Sequence, residues 1–118
     1  MSKQLALIIE DEPDLTTIFQ AALKSAGFET KIILDGQVAL DELETITPDI
    51  VILDLHLPHV SGQEILEYIR ANDRFEKTNV LIATADASLA EMLEDKVDLV
   101  LLKPISFVQL QVLAERFL

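Results

Sequence analysis

Apolar residues along this chain fall into two alternating patterns. Continuous runs at Leu5–Ile9, Ile50–Leu53, Val80–Ala83 and Leu99–Leu102 are four or five residues long and rich in Val, Ile and Leu, as in strands buried on both faces. Between them, apolar positions recur three and four apart: Leu15, Ile18, Phe19, Ala22, Leu23 and Ala26, then Ala39, Leu43 and Ile46. That period lays one apolar stripe along a helix. It returns at Ile65, Leu66 and Ile69, more briefly at Leu89, Met92 and Leu93, and finally at Leu110, Leu113, Ala114 and Phe117. A further strand, Phe28–Leu34, places Glu29, Thr30 and Lys31 ahead of Ile32, Ile33 and Leu34, so it is expected at a sheet edge. Each of the five predicted strands is followed by a helix.

Local punctuation agrees with these limits. Pro13 suits the first turn of a helix, Gly27 can close it, Asp35-Gly36 makes a turn before the second helix, and Ser106 can cap the last. Strict alternation with short links implies parallel strands joined by right-handed crossovers. The expected fold class is α/β, a doubly wound parallel sheet with helices on both faces. No internal repeat, low-complexity tract or linker breaks the pattern, and 118 residues suit a single domain over 1–118.

Composition narrows the function. Half of the residues are hydrophobic and a quarter are charged, enough for a packed core and too apolar for a disordered chain. Nine Lys and Arg against 21 Asp and Glu give a formal charge of −12. A field of that sign repels nucleic-acid backbones and anionic lipid surfaces, so neither a nucleic acid nor a membrane is an expected partner. The absence of cysteine removes disulfides, thiolate nucleophiles and cysteine-based metal centres. The apolar run Leu5–Ile9 is too short for a signal peptide or a membrane span. A soluble, cytoplasmic chain is the expectation.

In sheets of this kind, ligands bind beyond the carboxyl ends of the strands where the strand order reverses. Here that rim carries Glu10, Asp11 and Glu12 after the first strand, Asp54 after the third, Thr84-Ala85 at the end of the fourth and Lys103-Pro104 after the fifth. Two carboxylates about 5 Å apart repel by roughly 3 kcal/mol at an effective dielectric of about 20, so Glu10, Asp11 and Asp54 need compensating positive charge. Lys103 supplies one. A hard divalent cation, most naturally Mg2+, suits carboxylates, waters and phosphate oxygens and supplies the rest. An aspartate beside Mg2+, an ammonium and a hydroxyl is equipped to accept a phosphoryl group, giving an aspartyl phosphate. Taken singly, several of these residues have plainer readings. Asp11 to Asp14 suits an acidic first helical turn, Thr84 an ordinary strand position, and Lys103 a solvated strand end. Asp54 is harder to dismiss, because it sits between the run Ile50–Leu53 and Leu55. His56 and His59 flank Pro58, which favours a loop, and without Cys or a third His a zinc site is not expected.

The segment from Pro48 to Gly62, with Asp54 at its centre, resembles the core signature of two-component response-regulator receiver domains. Ile9 to Pro13 resembles the family's acidic pair, Asp35-Gly36 with Ala39-Leu40 the start of its second helix, Thr84-Ala85 its hydroxyl switch, and Lys103-Pro104 its lysine followed by proline. The likeness runs from about residue 5 to 117. It implies a five-stranded, flavodoxin-like sheet in order 2-1-3-4-5. It further implies that Asp54 accepts the phosphoryl group, that Asp11 binds Mg2+ directly and Glu10 through water, and that the His56 carbonyl completes the metal shell. Thr84 and the Ala85 amide would bond the phosphoryl group, Lys103 would pair with it, and His56 and Asp86 would flank the path of attacking water. The Lys103-Pro104 bond would be cis. The implied partner is a histidine kinase or histidine phosphotransfer protein, with an output partner the sequence does not identify and a homodimer formed on phosphorylation. Such a domain is regulatory rather than an enzyme, catalysing only its own phosphorylation and dephosphorylation.

Departures from the family pattern lie on one side. Val100 stands where an aromatic usually precedes the lysine by three residues, Lys96 replaces a common glycine, and the interval from Thr84 to Lys103 is short by about a helical turn, so the fourth helix is expected to be short or reshaped. Two other classes compete. A haloacid-dehalogenase-like phosphatase would want an aspartate two residues after its nucleophile, where this chain has His56. A flavodoxin-like redox module would want a glycine- and hydroxyl-rich phosphate loop after the first strand, where Glu10, Asp11 and Glu12 stand instead.

Overall fold

A computed structural model describes residues 3–118. Five strands, β1 (Leu5–Ile9), β2 (Glu29–Ile33), β3 (Ile50–Leu53), β4 (Asn79–Thr84) and β5 (Leu99–Leu102), form one parallel sheet in the order β2-β1-β3-β4-β5. They alternate with α1 (Pro13–Ala26), α2 (Gly36–Leu43), α3 (Gly62–Ala71), α4 (Ala87–Leu93) and α5 (Phe107–Glu115). Single 3-10 turns lie at Asp73–Phe75 and Glu94–Lys96. The strand order reverses between β1 and β3, which places the switch point at their carboxyl ends. Among the described residues, no helix is long and apolar enough to cross a membrane.

Successive strand residues point to opposite faces, so the sheet separates two apolar layers. Leu7, Ile9, Val51, Leu53 and Ile82 pack with Leu43, Ile65, Leu66 and Ile69 on one side. Ala6, Ile8, Ile52, Leu81 and Leu101 pack with Phe19, Leu23, Leu110 and Ala114 on the other. β3 is buried along its whole length, as its unbroken apolar run predicts. At the β2 edge, Glu29 and Lys31 are exposed and Ile33 is buried, which matches the mixed sequence of that strand. β5 forms the second edge, and the face bearing Val100 and Leu102 is only partly covered.

Helix limits follow the local chemistry. Pro13 opens α1, and Gly27 closes it at φ 112°, a backbone region in which a side chain would be strained. Asp35 caps α2 by accepting from the N–H groups of Gln37 and Val38, Ser61 caps α3 and Ser106 caps α5. Two helices are shorter than the apolar period suggests. Ile46 lies outside α2, because Pro48 disfavours helix at Thr47 and Arg74 donates to the carbonyl of Leu43, the last residue of the helix, and to that of Ile46 beyond it. Phe117 lies past the end of α5 yet still packs on the α1–α5 layer. α4 has seven residues, the short fourth helix expected from the reduced interval. The Lys103-Pro104 peptide bond is cis.

Candidate functional site

The strand ladder continues one residue past several strand ends, and those are the residues of the rim. Glu10 N–H donates to Ile33 O at 3.0 Å, Asp54 N–H to Ile9 O at 2.9 Å, and Lys103 N–H to Thr84 O at 2.8 Å. Each side chain is therefore aimed by sheet geometry rather than by a free loop. Glu10, Asp54 and Thr84 are buried, while Asp11 and Ala85 are exposed at the mouth.

One carboxylate oxygen from each of Glu10, Asp11 and Asp54 lies within 4.8 Å of the other two. Lys103 reaches over them, its Nζ 2.7 Å from Glu10 Oε1 and 3.6 Å from Asp54 Oδ2. Asp54 Oδ1 accepts from His56 N–H at 3.2 Å, and Glu10 Oε2 from Glu12 N–H at 3.3 Å. Burial pushes the Glu10 carboxyl up to about 7 against the hydrogen bond from Lys103, and the nearby charge of Asp54 adds to the rise. Burial acts against the charge on Lys103, but its hydrogen bond with Glu10 and the charges of Asp54, Glu10 and Glu12 outweigh that and raise its pKa. One ammonium facing three carboxylates leaves the cluster short of positive charge.

Two glycines hold the loop after β3 in place. A Cβ on Gly62 would lie 2.0 Å from Asp54 O and 2.7 Å from Leu55 Cα, so α3 can begin directly against the Asp54 peptide only because position 62 has no side chain. A Cβ on Gly36 would lie 1.9 Å from Val60 O, and Gly36 N–H donates to Pro58 O at 3.2 Å. His59, at φ 68°, extends this clasp by pairing its Nδ1 with Asp35 Oδ2. The segment from Asp54 to Gly62 is thereby fixed between the starts of α2 and α3.

The sequence pattern of the response regulator receiver domain matches residues 6–115. The chain belongs to that family. It is 37% identical over 108 residues to the Regulator of RpoS of Escherichia coli K12, covering 89% of this chain and 31% of that protein. With the DNA-binding response regulator MtrA of Mycolicibacterium smegmatis it shares 30% identity over 102 residues, 86% of this chain and 45% of the relative. The chain spans less than half the length of these relatives. Among solved structures, a CheY-like response regulator receiver domain from Methylobacillus flagellatus superposes with a TM-score of 0.86 at 27% identity, covering 99% of this chain and all of that one. The receiver domain of a sensor histidine kinase from Pseudomonas aeruginosa, solved with a magnesium ion coordinated in its active-site cleft, gives a TM-score of 0.85 at 27% identity over 98% of each chain. Receiver domains of this family are regulatory parts of two-component systems and take phosphoryl groups from histidine kinases.

Of the rim residues singled out from sequence, Glu10, Asp11, Asp54 and Lys103 come together, and the His56 ring lies beside Asp86 instead. Its Nε2 lies 3.7 Å from Asp86 Oδ2, across the mouth of the site. Thr84 Oγ1 accepts from Asp86 N–H at 3.0 Å. The roles of Gly36, Gly62 and the His59–Asp35 pair have no signal in hydrophobic periodicity. A glycine directly after a capping Ser or Asp, as in Ser61-Gly62 and Asp35-Gly36, is the local feature that points to a close backbone approach.

Proposed function

We propose that Asp54 is the phosphoryl acceptor of this receiver, served by Lys103, Thr84 and the Ala85 amide, with Mg2+ at Glu10, Asp11, Asp54 and the His56 carbonyl. The observation that carries this reading is the meeting of three carboxylate oxygens within 4.8 Å under a single ammonium. The donor set fits Mg2+: all the side-chain ligands are hard oxygens, and three carboxylates against one ammonium call for a divalent charge. Asp11, exposed at the mouth, would hold the ion directly, and buried Glu10, already engaged by Lys103, would hold it through water. When bound, Mg2+ neutralises oxygens of the transferring phosphoryl group.

The remaining work falls to side chains of this chain. An Asp54 carboxylate oxygen forms the new bond to phosphorus as the bond from phosphorus to the donor nitrogen of a kinase or phosphotransfer histidine breaks. Lys103 moves its attraction from the carboxylates to the incoming charge. Thr84 Oγ1 receives a hydrogen bond from Asp86 N–H, which leaves its own proton for a phosphoryl oxygen. The domain then hydrolyses its own aspartyl phosphate, with His56 and Asp86 flanking the approach of water. The unit that acts is the single folded domain, in the cytoplasm.

Acetyl phosphate with Mg2+ is expected to add one acid-labile phosphoryl group to the wild-type chain and none to Asp54→Asn, read by intact-mass spectrometry. Equal labelling of both proteins would remove Asp54 from the role.

A further inference from the structure

We infer that the cleft between α3 and the end of α4 is a binding site for a small arylalkyl carboxylate, whose apolar body rests on Leu66 and Leu93 and whose carboxylate meets Lys96. The cleft has a volume of about 280 Å³ and is lined by Gln63, Leu66, Glu67, Arg70, Leu93 and Lys96. No residue of the proposed phosphorylation site lines it, so the inference stands apart from the reading of Asp54.

Gln63, Leu66, Glu67 and Arg70 are spaced by three and four, which puts them on one stripe of α3. From Gln63 to Arg70 the stripe runs about 10 Å along the helix axis. Leu93 is the last residue of α4, and Lys96 ends the 3-10 turn that follows it. Leu66 and Leu93 are buried and make an apolar floor, while Glu67, Arg70 and Lys96 are exposed at the opening. Arg70 ties the two walls together: its Nε donates to Lys96 O at 2.8 Å, and its guanidinium lies 3.3 Å from Asp98 Oδ2. A cleft braced in this way is formed before a ligand arrives, which lowers the cost of binding.

Charge selects the ligand. The guanidinium of Arg70 is already answered by Asp98. Lys96 has no ion-pair partner among the described residues, and it does not pair with Glu67 although both line the cleft. One uncommitted ammonium beside an apolar floor suits a monoanion with an apolar body; a phosphate would want the guanidinium that Asp98 holds. The formal charge of −12 opposes any anion at a distance, but beyond a Debye length of about 8 Å at physiological salt that repulsion is largely screened. Ligand pockets commonly hold about 300–1,000 Å³, so this one takes a ring with a short chain rather than a larger molecule.

Amide spectra of the chain titrated with phenylacetate, phenethyl alcohol and phenethylamine test the site. Phenylacetate is expected to move the amides of Leu66, Glu67, Leu93 and Lys96 with a Kd on the order of millimolar. It should bind about threefold more tightly than the alcohol, and more tightly still than the amine. Lys96→Gln should erase the preference over the alcohol, and Glu67→Gln should tighten phenylacetate binding about twofold. Gln63→Trp fills the cleft and should remove the response, with carbon shifts showing that α3 stays helical. Several outcomes overturn the inference: no movement of these amides up to about 10 mM phenylacetate, equal binding of the alcohol or the amine to wild type, a preference that survives Lys96→Gln, or a full response in Gln63→Trp. If the same amides move on dilution of the protein alone, the cleft is a contact between copies of the chain and the ligand site is likewise overturned.

Discussion

The two halves of the site rim are held very differently. On the β1–β3 side, Glu10 and Asp54 are 1% and 5% exposed, their amides extend the sheet ladder, and two glycines admit backbone contacts that no side chain could share. On the β4–β5 side, α4 has seven residues, Met92 and Leu102 are 71% and 50% exposed, and Val100 is half-buried. The first half fixes the proposed acceptor and metal-binding carboxylates, where small displacements would cost much rate. In the second half β4 is buried, but α4 and β5 are lightly packed, as elements that change arrangement must be. A receiver needs both, and this one puts them on opposite flanks of Asp54.

Substitution should expose that asymmetry most strongly at Gly62. Gly62→Ala forces a Cβ against the Asp54 carbonyl and Leu55 Cα, and overpacking against backbone is expected to cost about 3 kcal/mol. Val100→Ala, on the thinly covered flank, should cost under about 1 kcal/mol. Urea unfolding measures both, and equal losses would break the comparison.

A second test lies within the firm half. Asp11→Asn should weaken Mg2+ binding by about tenfold or more, and Glu10→Gln by less, because a direct ligand contributes more than one acting through water. A titration with the opposite order would exchange their places around the metal.

The smallest effect concerns the clasp between α2 and the loop after β3. The hydrogen bond from His59, followed by those from the Val38 and Gln37 amides, holds the Asp35 carboxyl below its ordinary value of 3.8. A carboxyl lowered in the folded state contributes stability above its unfolded pKa, and that contribution disappears as pH falls through the folded one. The gap in urea midpoint between wild type and His59→Ala should therefore be steady at pH 5 to 6 and shrink below about pH 3.8. A gap that widened in acid would show that the pair does not act through the Asp35 charge.

Much of this was legible in the chain itself. β1, β3 and β5 begin and end where the apolar runs do, and the change from Leu53 to Asp54 marks a strand end and a site residue in one step. β4 is longer by a residue at each end, because Asn79 and Thr84 pair with Ile50 and Leu102 whatever their polarity. Ile46 and Phe117 continue a helical period past the true helix ends, and at α2 periodicity is blind to the Arg74 guanidinium that takes over the last carbonyls. The clasp of Asp35, Gly36, Pro58 and His59 joins segments more than twenty residues apart, and hydrophobic pattern carries no record of such contacts. The same holds for the approach of the His56 ring to Asp86, which lies beyond a different strand.

The unequal edges of the sheet bear on how copies of this chain meet at high concentration. An open edge strand is a template for a strand of another molecule. β2 resists this with Glu29 and Lys31 on its exposed positions, whereas β5 is the apolar sequence Leu99 to Leu102 with no charge of its own. Its protection is brevity: four residues offer few free backbone groups, and Pro104 just beyond has no N–H to donate. Lengthening β5 by a few apolar residues would remove that protection and make the edge a seed for aggregation.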